Sequence, residues 1–354
     1  MTPPTPKPGQ RWMLYGAYGT TGLLILEEAS RRGHRPLVAG RDPVRLSALA
    51  HRYGLEPVLL DLEHATGDPL KGASLLVNAA GPFFETGAPL RELCLQAGAS
   101  YIDVNGEIAD FVQALECDAR ARARGIAVIP GAGFGVVLGE ALAAHVALRL
   151  PDAAWMRMSL AAANGPSSRG ALRSSASALA QGGYAISGGQ LRRRPMAFPT
   201  WRLPSHDPNG ATPRFAAAPR AELVAAHRLT GIGEIVTGIP LSLAAALALR
   251  ATGRIAGTLM SRWARAASST REPSPRASSV ALRSHVWVEA GNRAGDHLMS
   301  RLESGEGYRL AASAAVRAIE CVLATSPVGA LTPAQAFGPG FALSLPATRI
   351  IDVP

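Results

Sequence analysis

Short apolar segments of four or five residues alternate with longer amphipathic segments through the first third of the chain. The apolar segments predict strands at residues 12–15, 37–40, 58–62, 74–78, 101–104 and 126–130. The amphipathic segments predict helices at residues 20–33, 44–53, 87–97 and 107–124. Strands and helices that alternate at this spacing are typical of a doubly wound parallel sheet, which binds its ligands at the carboxyl ends of the strands.

The pattern changes after about residue 135. Residues 156–163 and 285–290 alternate apolar and polar side chains, as the strands of an antiparallel sheet do. Polar, glycine-rich stretches at residues 164–175, 181–194 and 204–213 predict loops, and residues 264–279, rich in Arg, Ser, Ala and Pro, predict a mobile surface loop. We therefore expect an α/β fold in which a second, mixed α/β (α+β) domain follows the parallel sheet.

One long apolar segment lies inside the second domain. Residues 235–249 read IVTGIPLSLAAALAL, and Arg250, Arg254 and a further apolar stretch to residue 263 follow. The segment is too short to cross a bilayer and is interrupted by Gly238 and Pro240. We expect a buried core helix, with a hydrophobic lid or an interfacial helix flanked by arginines as the alternative.

The most informative local motif is the turn after the first predicted strand. Gly16, Gly19 and Gly22 follow that strand at three-residue spacing and lead into the first helix. Such a turn brings the backbone close to a pyrophosphate, and the helix directs its free N–H groups at the phosphates. Arg41 ends the second strand, where an NAD enzyme carries an acidic residue. A guanidinium at that place suits a 2′-phosphate, so the motif predicts NADP(H) as the cofactor.

Composition narrows the class of protein. The chain has 354 residues, 47% of them hydrophobic and 18% charged, which is typical of a soluble globular protein with two domains. The net charge of +10 comes from scattered arginines without a nucleic-acid motif, so we expect an anionic cofactor, with an anionic surface as an open alternative, and no nucleic acid. Neither lysine, Lys7 or Lys71, has a Tyr four residues before it, which excludes the short-chain dehydrogenase motif.

Cysteine and histidine usage indicates neither a disulfide framework nor a metal site. Cys94, Cys117 and Cys321 are widely spaced, and the eight histidines show no ligand spacing. Free thiols are typical of a reducing compartment, and the first ten residues lack the apolar core of a secretion signal. We expect a cytoplasmic protein, with peripheral contact to a membrane surface as an open alternative.

Several further motifs carry a family resemblance. They are NAAGPF at residues 78–83, YIDVNGE at 101–107, PGAGFG at 130–135, EGYRLAASAAVRA at 306–318 and the following TPAQAFGPGFAL. In this order the chain resembles the saccharopine dehydrogenase-like NADP-binding oxidoreductases, in particular the bacterial branch that includes trans-acting enoyl reductases. The resemblance covers roughly residues 13–352. Related chains often carry GFDSxPSD where this chain has GFGVVLGE, so that Gly135 and Leu138 replace an Asp and a Pro.

The resemblance implies a domain plan. We expect a disordered tail at residues 1–10, a Rossmann-type NADP-binding domain at 11–135, and a substrate domain at 136–309. Residues 310–354 are expected to form a C-terminal helix and tail that pack back toward the first domain. The cofactor is expected to contact Gly16, Tyr18, Gly19, Thr20, Thr21, Gly22, Arg41, Asp61, Asn78, Ala79, Ala80, Gly81, Pro82 and Phe83.

Hydride transfer also needs a proton donor or acceptor beside the cofactor, on a loop at a strand end. Asp103, Asn105 and Glu107 cluster after the fifth predicted strand, with Tyr101 as an aromatic neighbour. Asp103 and Glu107 are candidate catalytic residues, and the alternative is that they hydrogen-bond the helix that begins there. Tyr184, between two pairs of glycines in the second domain, is a further candidate donor.

We therefore expect an NADPH-dependent reductase that acts on an activated double bond. An enoyl C=C bond of a small apolar or lipid-like, polyketide-type substrate is favoured, with a carrier-bound form of that substrate left open. Reduction of a C=N bond, as in saccharopine-type chemistry, is the alternative reaction. A non-catalytic NADP(H)-binding sensor or membrane-surface protein is the alternative from another class, and the sequence leaves the oligomeric state open.

Overall fold

The computed structural model describes residues 11–64, 68–163, 169–203, 213–266 and 282–353. The first part of the chain contains, in order, β1 (Trp12–Tyr15), α1 (Thr20–Arg31), β2 (Leu37–Gly40), α2 (Pro43–Tyr53), β3 (Pro57–Leu59), β4 (Leu75–Asn78), α3 (Phe83–Ala97), β5 (Ser100–Asp103), α4 (Ile108–Leu115), α5 (Asp118–Arg124), β6 (Ala127–Ile129) and α6 (Phe134–Arg149).

The second part contains β7 (Trp155–Ala161), α7 (Arg169–Gln181), β8 (Gly183–Ser187), β9 (Gln190–Arg194), β10 (Thr200–Arg202), β11 (Arg214–Ala217), α8 (Glu222–Thr230), β12 (Glu234–Pro240), α9 (Leu243–Ala266), β13 (Ser284–Gly291) and β14 (His297–Ser304). The chain then continues through α10 (Gly307–Thr325), β15 (Gly329–Ala330), α11 (Pro333–Phe337), a 3₁₀ helix (Pro339–Ser344) and β16 (Arg349–Val353).

The first sheet is parallel, with strand order β15-β6-β5-β4-β1-β2-β3. Its strands are buried on both faces: Trp12 and Leu14 belong to one apolar core, and Met13 and Tyr15 to another. Near-continuous apolar strands of this kind are expected where helices cover both sides of a parallel sheet. The Rossmann-type doubly wound sheet predicted from the sequence is therefore confirmed.

The predicted helix over residues 107–124 is two helices in the structure. α4 ends at Leu115, and α5 begins at Asp118 after a short break. The Asp118 carboxylate accepts a hydrogen bond from Ala330 N, across 2.8 Å, at strand β15. A carboxylate in the first turn of α5 interacts favourably with the positive end of the helix, and here it also fixes the edge of the first sheet.

The second sheet is mixed and follows the order β10-β11-β12-β7-β13-β14-β16, with the hairpin β8–β9 paired to β12. β12 and β7 are parallel, and the other pairs are antiparallel. α6 packs against this sheet, and most of its residues are buried. The mixed second domain predicted from the sequence is present.

Two stretches predicted as loops are regular structure. Residues 169–175 belong to α7, and residues 183–194 form the β8–β9 hairpin. The hairpin turn consists of Gly188 and Gly189, whose φ angles are +60° and +72°. Two successive residues with positive φ are what a tight two-residue hairpin needs, so the glycine pair is a turn signal inside a sheet.

The apolar segment at residues 235–249 is not a single core helix, and the alternative of a lid or an interfacial helix stays a prediction. Its first part is strand β12, which lies between β7 and β11, and α9 begins only at Leu243. On α9, Leu243, Leu247 and Ile255 are exposed. The backbone of α9 approaches α7 closely at Gly257, where a Cβ would lie 2.4 Å from Ala180 N. No helix in the described ranges is long and apolar enough to cross a membrane.

The C-terminal region contacts both domains. α10 packs against α1, and β15 joins the first sheet beside β6. β16, however, pairs with β14 and forms an edge strand of the second sheet. The end of the tail therefore departs from the expectation that it packs toward the first domain. The predicted tail at residues 1–10 and most of the predicted loops at 204–213 and 264–279 lie outside the described residues.

A buried carboxyl group links α6 to the C-terminal region. Glu140 has no solvent exposure, and its Oε2 accepts a hydrogen bond from Ala334 N across 3.0 Å. Its Oε1 has no partner among the described residues. Burial raises the pKa of Glu140 from 4.5 to about 7, so the protonated form is stabilised in the folded protein.

This pKa predicts how stability changes with pH. The stabilisation is fully present below about pH 4.5 and is lost as the pH rises through about 7, because the unfolded chain releases the proton first. Glu140→Gln should reduce the loss of unfolding free energy between pH 5 and 8 by about 2–3 kcal/mol, as measured by urea unfolding. Glu27→Gln, at an exposed position, should keep the wild-type pH dependence. Identical pH profiles for wild type and Glu140→Gln would contradict this account.

Candidate active site

A cleft of about 1130 Å³ opens along the carboxyl edge of the first sheet. One wall is formed by the loops that follow the parallel strands, where the sequence places its glycine turn and its NAAGPF, YIDVNGE and PGAGFG motifs. The other wall comes from the second domain and from α10. The residues on this second wall include Arg173, Ser174, Ser175, Ala178, Pro219, Arg220, Glu222, Gly307, Tyr308 and Ala311.

The glycines of the turn have two roles: they allow a ligand to approach the backbone, and they allow the helix to pack closely on the turn. Gly16 has a φ of +79°, and a Cβ there would lie 2.8 Å from the Cβ of Ala80. A Cβ at Gly22 would lie 2.1 Å from the carbonyl oxygen of Gly16, so Gly22 lets α1 pack on the turn. Gly16 and Gly19 line the cleft, whereas Gly22 does not.

The N-terminus of α1 suits a pyrophosphate. Gly19 is the N-cap residue and offers no side chain to the free N–H groups, and the first turn has no acidic residue. Thr20 and Thr21 line the cleft at this point. The hydroxyl of Thr20 is shielded from solvent and has no partner among the described residues. Free N–H groups, a free hydroxyl and the positive helix end together match the oxygens of a bound phosphate.

Two arginines lie where the adenosine end of a dinucleotide is expected. Arg41 and Arg45 both line the cleft beside Tyr18. The Tyr18 hydroxyl accepts hydrogen bonds from Arg41 N and Asp42 N, across 3.1 and 3.0 Å. The Arg45 guanidinium stacks over the Tyr18 ring, 4.6 Å from its centroid. Tyr18 therefore shapes the loop after β2, and the two guanidinium groups suit a 2′-phosphate.

Sequence reasoning missed Arg45. It lies in the first turn of α2, four residues after Arg41, and the Asp42 carboxylate caps that turn by accepting from Val44 N and Arg45 N. Asp42 followed by Pro43 is a helix-start signal. Together with Arg41, that helix-start signal would have placed Arg45 in the first turn of α2, next to the loop that carries Arg41.

Asp61 follows β3 and lines the cleft at the same end. Its Oδ2 lies 2.9 Å from His64 Nδ1, and Glu63 N donates to Oδ1. The hydrogen bond from His64 holds the pKa of Asp61 below its usual range, so the group is a carboxylate. An exposed carboxylate at this place is available to the adenosine part of a cofactor.

The loop after β4 is held in place by hydrogen bonds of the Asn78 side chain. Its Nδ2 donates to Thr86 Oγ1 and to the Tyr101 hydroxyl, and its Oδ1 accepts from Ala80 N across 2.9 Å. Asn78 is fully buried and does not line the cleft, so its contact with the cofactor is indirect. The residues that present the loop to the cleft are Ala79, Ala80, Gly81, Pro82 and Phe83.

Glu107 joins three parts of the site. Its Oε1 accepts from Phe83 N across 2.9 Å and from the Ser174 hydroxyl, and its Oε2 accepts from Phe84 N across 3.1 Å. It therefore caps the start of α3, which begins four residues earlier than predicted, and not its own helix α4. Burial raises the pKa of Glu107, while its three hydrogen bonds oppose that rise. Glu107 lines the cleft.

Asp103 does not line the cleft, in contrast to the expectation of a catalytic role. It is fully buried, and its Oδ1 accepts from Asn105 N and Gly131 N across 2.9 and 2.7 Å. Burial raises the pKa of Asp103 to about 7. These contacts join the ends of β5 and β6, so the side chain supports the sheet edge below the site.

Asn105 connects that edge to a buried ion pair. It lines the cleft, its Oδ1 accepts from Glu107 N, and its Nδ2 donates to Asp110 Oδ2 across 2.8 Å. Asp110 in turn forms two hydrogen bonds with Arg91, of 2.9 and 2.7 Å. A bidentate pair of this kind fixes geometry strongly, so the loop that carries Glu107 is held in place.

Tyr184 lies outside the site. It is on β8, where the Arg193 guanidinium lies 5.9 Å from its ring centroid, and it does not line the cleft. α7 provides the cleft wall instead: Arg173 donates to Glu85 Oε1 across 2.6 Å, and Ser174 donates to Glu107. In the described ranges, no group of three or more His, Cys, Asp or Glu side chains could hold a metal ion.

Fold and cleft together define a dinucleotide-binding protein of the Rossmann class. Residues 12–129 match the family model of the saccharopine dehydrogenase NADP-binding domain. The first domain is thus similar to the NADP-binding domain of that family, and its cofactor is NADP(H). The family resemblance and the cofactor predicted from the sequence are confirmed.

Relatives with known sequences align with part of the chain. A trans-acting enoyl reductase of Mycobacterium ulcerans (strain Agy99) is 32% identical over 107 residues, which are 27% of this chain and 25% of that protein. A probable mitochondrial saccharopine dehydrogenase-like oxidoreductase of Arabidopsis thaliana is 28% identical over 155 residues, covering 38% of this chain and 34% of that protein. The matched region thus spans about a quarter to a third of the length of these relatives.

The whole fold is similar to a solved structure. The apo saccharopine dehydrogenase (L-Glu forming) of Saccharomyces cerevisiae superposes with a TM-score of 0.62 and 12% sequence identity. The superposition covers 98% of this chain and 100% of that one. Both domains, and not only the Rossmann sheet, therefore follow the same architecture.

The arginine pair predicts cofactor preference. Arg41→Ala and Arg45→Ala should each weaken NADP⁺ binding by about tenfold or more and leave NAD⁺ binding nearly unchanged, because a charge-assisted hydrogen bond contributes about 1.5–3 kcal/mol. Calorimetric titration of both cofactors measures the effect. Arg52→Ala, on the last turn of the same helix and outside the cleft, is the matched control. Equal losses for NAD⁺ and NADP⁺ would show that the arginines do not contact the 2′-phosphate.

Proposed function

We propose that the protein is an NADPH-dependent oxidoreductase that transfers hydride to an activated double bond. When bound, NADPH supplies the hydride. The observation that carries the proposal is the continuity of the cleft: it runs from Arg41, past the free N-terminus of α1, to Ser174 and Glu107 on opposite walls. A substrate in the part of the cleft that faces the second domain would lie beside the cofactor-binding loops, in the position that hydride transfer requires.

An enoyl C=C bond is the favoured substrate. The part of the cleft that faces the second domain combines the apolar side chains Val104, Phe134, Val136 and Ala178 with polar groups of α7. Such a lining suits an acyl chain with a polar carbonyl group that activates the double bond. The similarity to an enzyme named a trans-acting enoyl reductase supports the same choice. A lipid or polyketide-type substrate, carried as a thioester, is part of this proposal.

Ser174 and Glu107 are the groups proposed to handle the proton. After hydride reaches one carbon of the double bond, the other carbon must receive a proton. The Ser174 hydroxyl lines the cleft and donates to Glu107, whose pKa is raised by burial. In this relay, Ser174 passes its proton to the substrate carbon and takes the proton of Glu107 in its acid form, and Glu107 regains a proton from water. Asp103, below the sheet edge, takes no part.

Reduction of a C=N bond is the second candidate. Two carboxylates, Glu107 and Glu222, line the part of the cleft that faces the second domain. Negative charge at that place would stabilise a protonated imine, which is the form that accepts hydride most readily. The similarity to saccharopine dehydrogenase-like relatives is compatible with this reaction.

Two probe substrates distinguish the candidates. NADPH oxidation is followed by absorbance with crotonyl thioester, an enoyl probe, and with 2-methyl-1-pyrroline, a cyclic imine. Faster oxidation with the thioester supports the enoyl assignment, and faster oxidation with the pyrroline supports the imine. Tight NADPH binding with no oxidation of either probe, or of a panel of longer acyl thioesters, would favour a non-catalytic NADP(H) sensor.

The proposed proton path predicts two variants. Ser174→Ala and Glu107→Gln should each lower kcat by about tenfold or more, which is a loss of about 1.4 kcal/mol, with little change in NADPH affinity. Ser177→Ala, on the same helix but outside the cleft, should keep wild-type kcat. Asp103→Asn should change thermal stability more than kcat.

Ser174→Ala is the decisive variant, because it leaves the two backbone contacts of Glu107 in place. If Ser174→Ala keeps full turnover and Glu107→Gln loses only thermal stability, the pair is a structural link between the walls. The proton would then come from water or from another group.

A further inference from the structure

Glu222 is a buried carboxylate that the proposed enoyl reduction does not use. It lies in the first turn of α8, has no solvent exposure, and lines the cleft beside Arg220. Its Oε1 accepts from Arg220 Nε and Nη2, across 3.1 and 2.7 Å. Its Oε2 is buried and has no partner among the described residues.

The first domain makes room for this carboxylate. A Cβ at Gly135, in the first turn of α6, would lie 1.7 Å from Glu222 Oε1 and 2.7 Å from Arg220 Nη2. One turn later, a Cβ at Gly139 would lie 3.1 Å from Glu222 Cγ. Because the second residue of α6 has no side chain, the Glu222 carboxylate packs against the first turn of α6 and lines the wall of the cleft.

The chemistry of the pair defines its ligand. A buried carboxylate oxygen without a hydrogen bond is energetically unfavourable, so a ligand that brings an N–H or O–H group is favoured. Arg220 is partly exposed and offers its own N–H groups to an acceptor beside that donor. The charges of the two side chains cancel, so a carboxylate or an ammonium alone would meet one opposite and one like charge. A neutral group with a donor next to an acceptor fits best.

We propose that Glu222 and Arg220 form a binding site for a carboxamide: the amide N–H donates to Glu222 Oε2, and the amide oxygen accepts from Arg220. The carboxamide has two possible sources, the nicotinamide ring of the cofactor and an amide of the substrate. The sheet order supports the first source, since β6 lies on the far side of β1 from β2, which carries Arg41. A dinucleotide whose 2′-phosphate lies at Arg41 and whose pyrophosphate lies at β1 points its nicotinamide toward β6.

The first experiment compares two cofactors by calorimetry. NADP⁺ carries the carboxamide, and its 3-acetylpyridine analogue keeps the carbonyl oxygen but has a methyl group in place of the amide nitrogen. Wild type should bind NADP⁺ about tenfold more tightly, which corresponds to about 1.4 kcal/mol. Glu222→Gln should lose most of that preference, because one carboxylate acceptor becomes a donor.

A second variant guards against misfolding of the buried site. Gly135→Ala leaves both charged residues intact but displaces the carboxylate, so it should also lose the preference. Gly139→Ala is the matched control, because its Cβ would meet Met158 Cε at 3.0 Å and Glu222 Cγ at 3.1 Å but not the carboxylate, and it should keep the preference. Thermal unfolding of each variant identifies a general loss of folding.

The second arm tests the substrate as the source. Propionamide is titrated into protein saturated with NADP⁺, and binding is followed by calorimetry in wild type and Glu222→Gln. Binding to wild type alone, without a cofactor preference in the first arm, assigns the site to a substrate amide. The proposal is overturned if neither the cofactor pair nor propionamide distinguishes wild type from Glu222→Gln. Neither arm measures turnover, so the result is independent of whether the proposed reduction takes place.

Discussion

The site depends on one carboxylate that holds three chain segments together. Glu107 extends from the end of β5, caps the first turn of α3, and accepts the Ser174 hydroxyl from α7 of the second domain. The N–H groups at the start of a helix need acceptors, and a charged acceptor forms the stronger hydrogen bonds. The loop that faces the cofactor and the wall that faces the substrate therefore share one anchor. Loss of the whole Glu107 side chain would alter both sides of the cleft at once.

The parts of this site that sequence predicts are those whose cause is local. The glycine turn requires a positive φ at Gly16 and close helix packing at Gly22, and both needs arise within seven residues. The parallel strands are short apolar runs buried on both faces, so they stand out from the helices between them. Arg41 follows directly from the end of β2. The fold and the cofactor were for this reason predicted correctly.

Other predictions failed where the cause lies in distant contacts. Residues 235–240 are apolar enough for a helix, and only their neighbours β7 and β11 make them a central strand. Asp103 and Glu107 are equivalent carboxylates in the sequence, yet one supports the β5–β6 edge from below and the other faces the cleft. Tyr184 looked suitable because glycines surround it, but those glycines form a hairpin outside the cleft. Local propensity does not contain this information.

The departure of the GFGVVLGE segment from the pattern of related chains has a structural explanation in α8. Where those chains carry an Asp, this chain has Gly135, and the missing side chain leaves space that the Glu222 carboxylate fills from the second domain. A carboxylate thus lies beside the first turn of α6, although it comes from α8 and is paired with Arg220. Read as a motif, the segment has lost an acidic residue. Read as a surface, the cleft carries one at Glu222, whose second oxygen is buried and has no partner among the described residues.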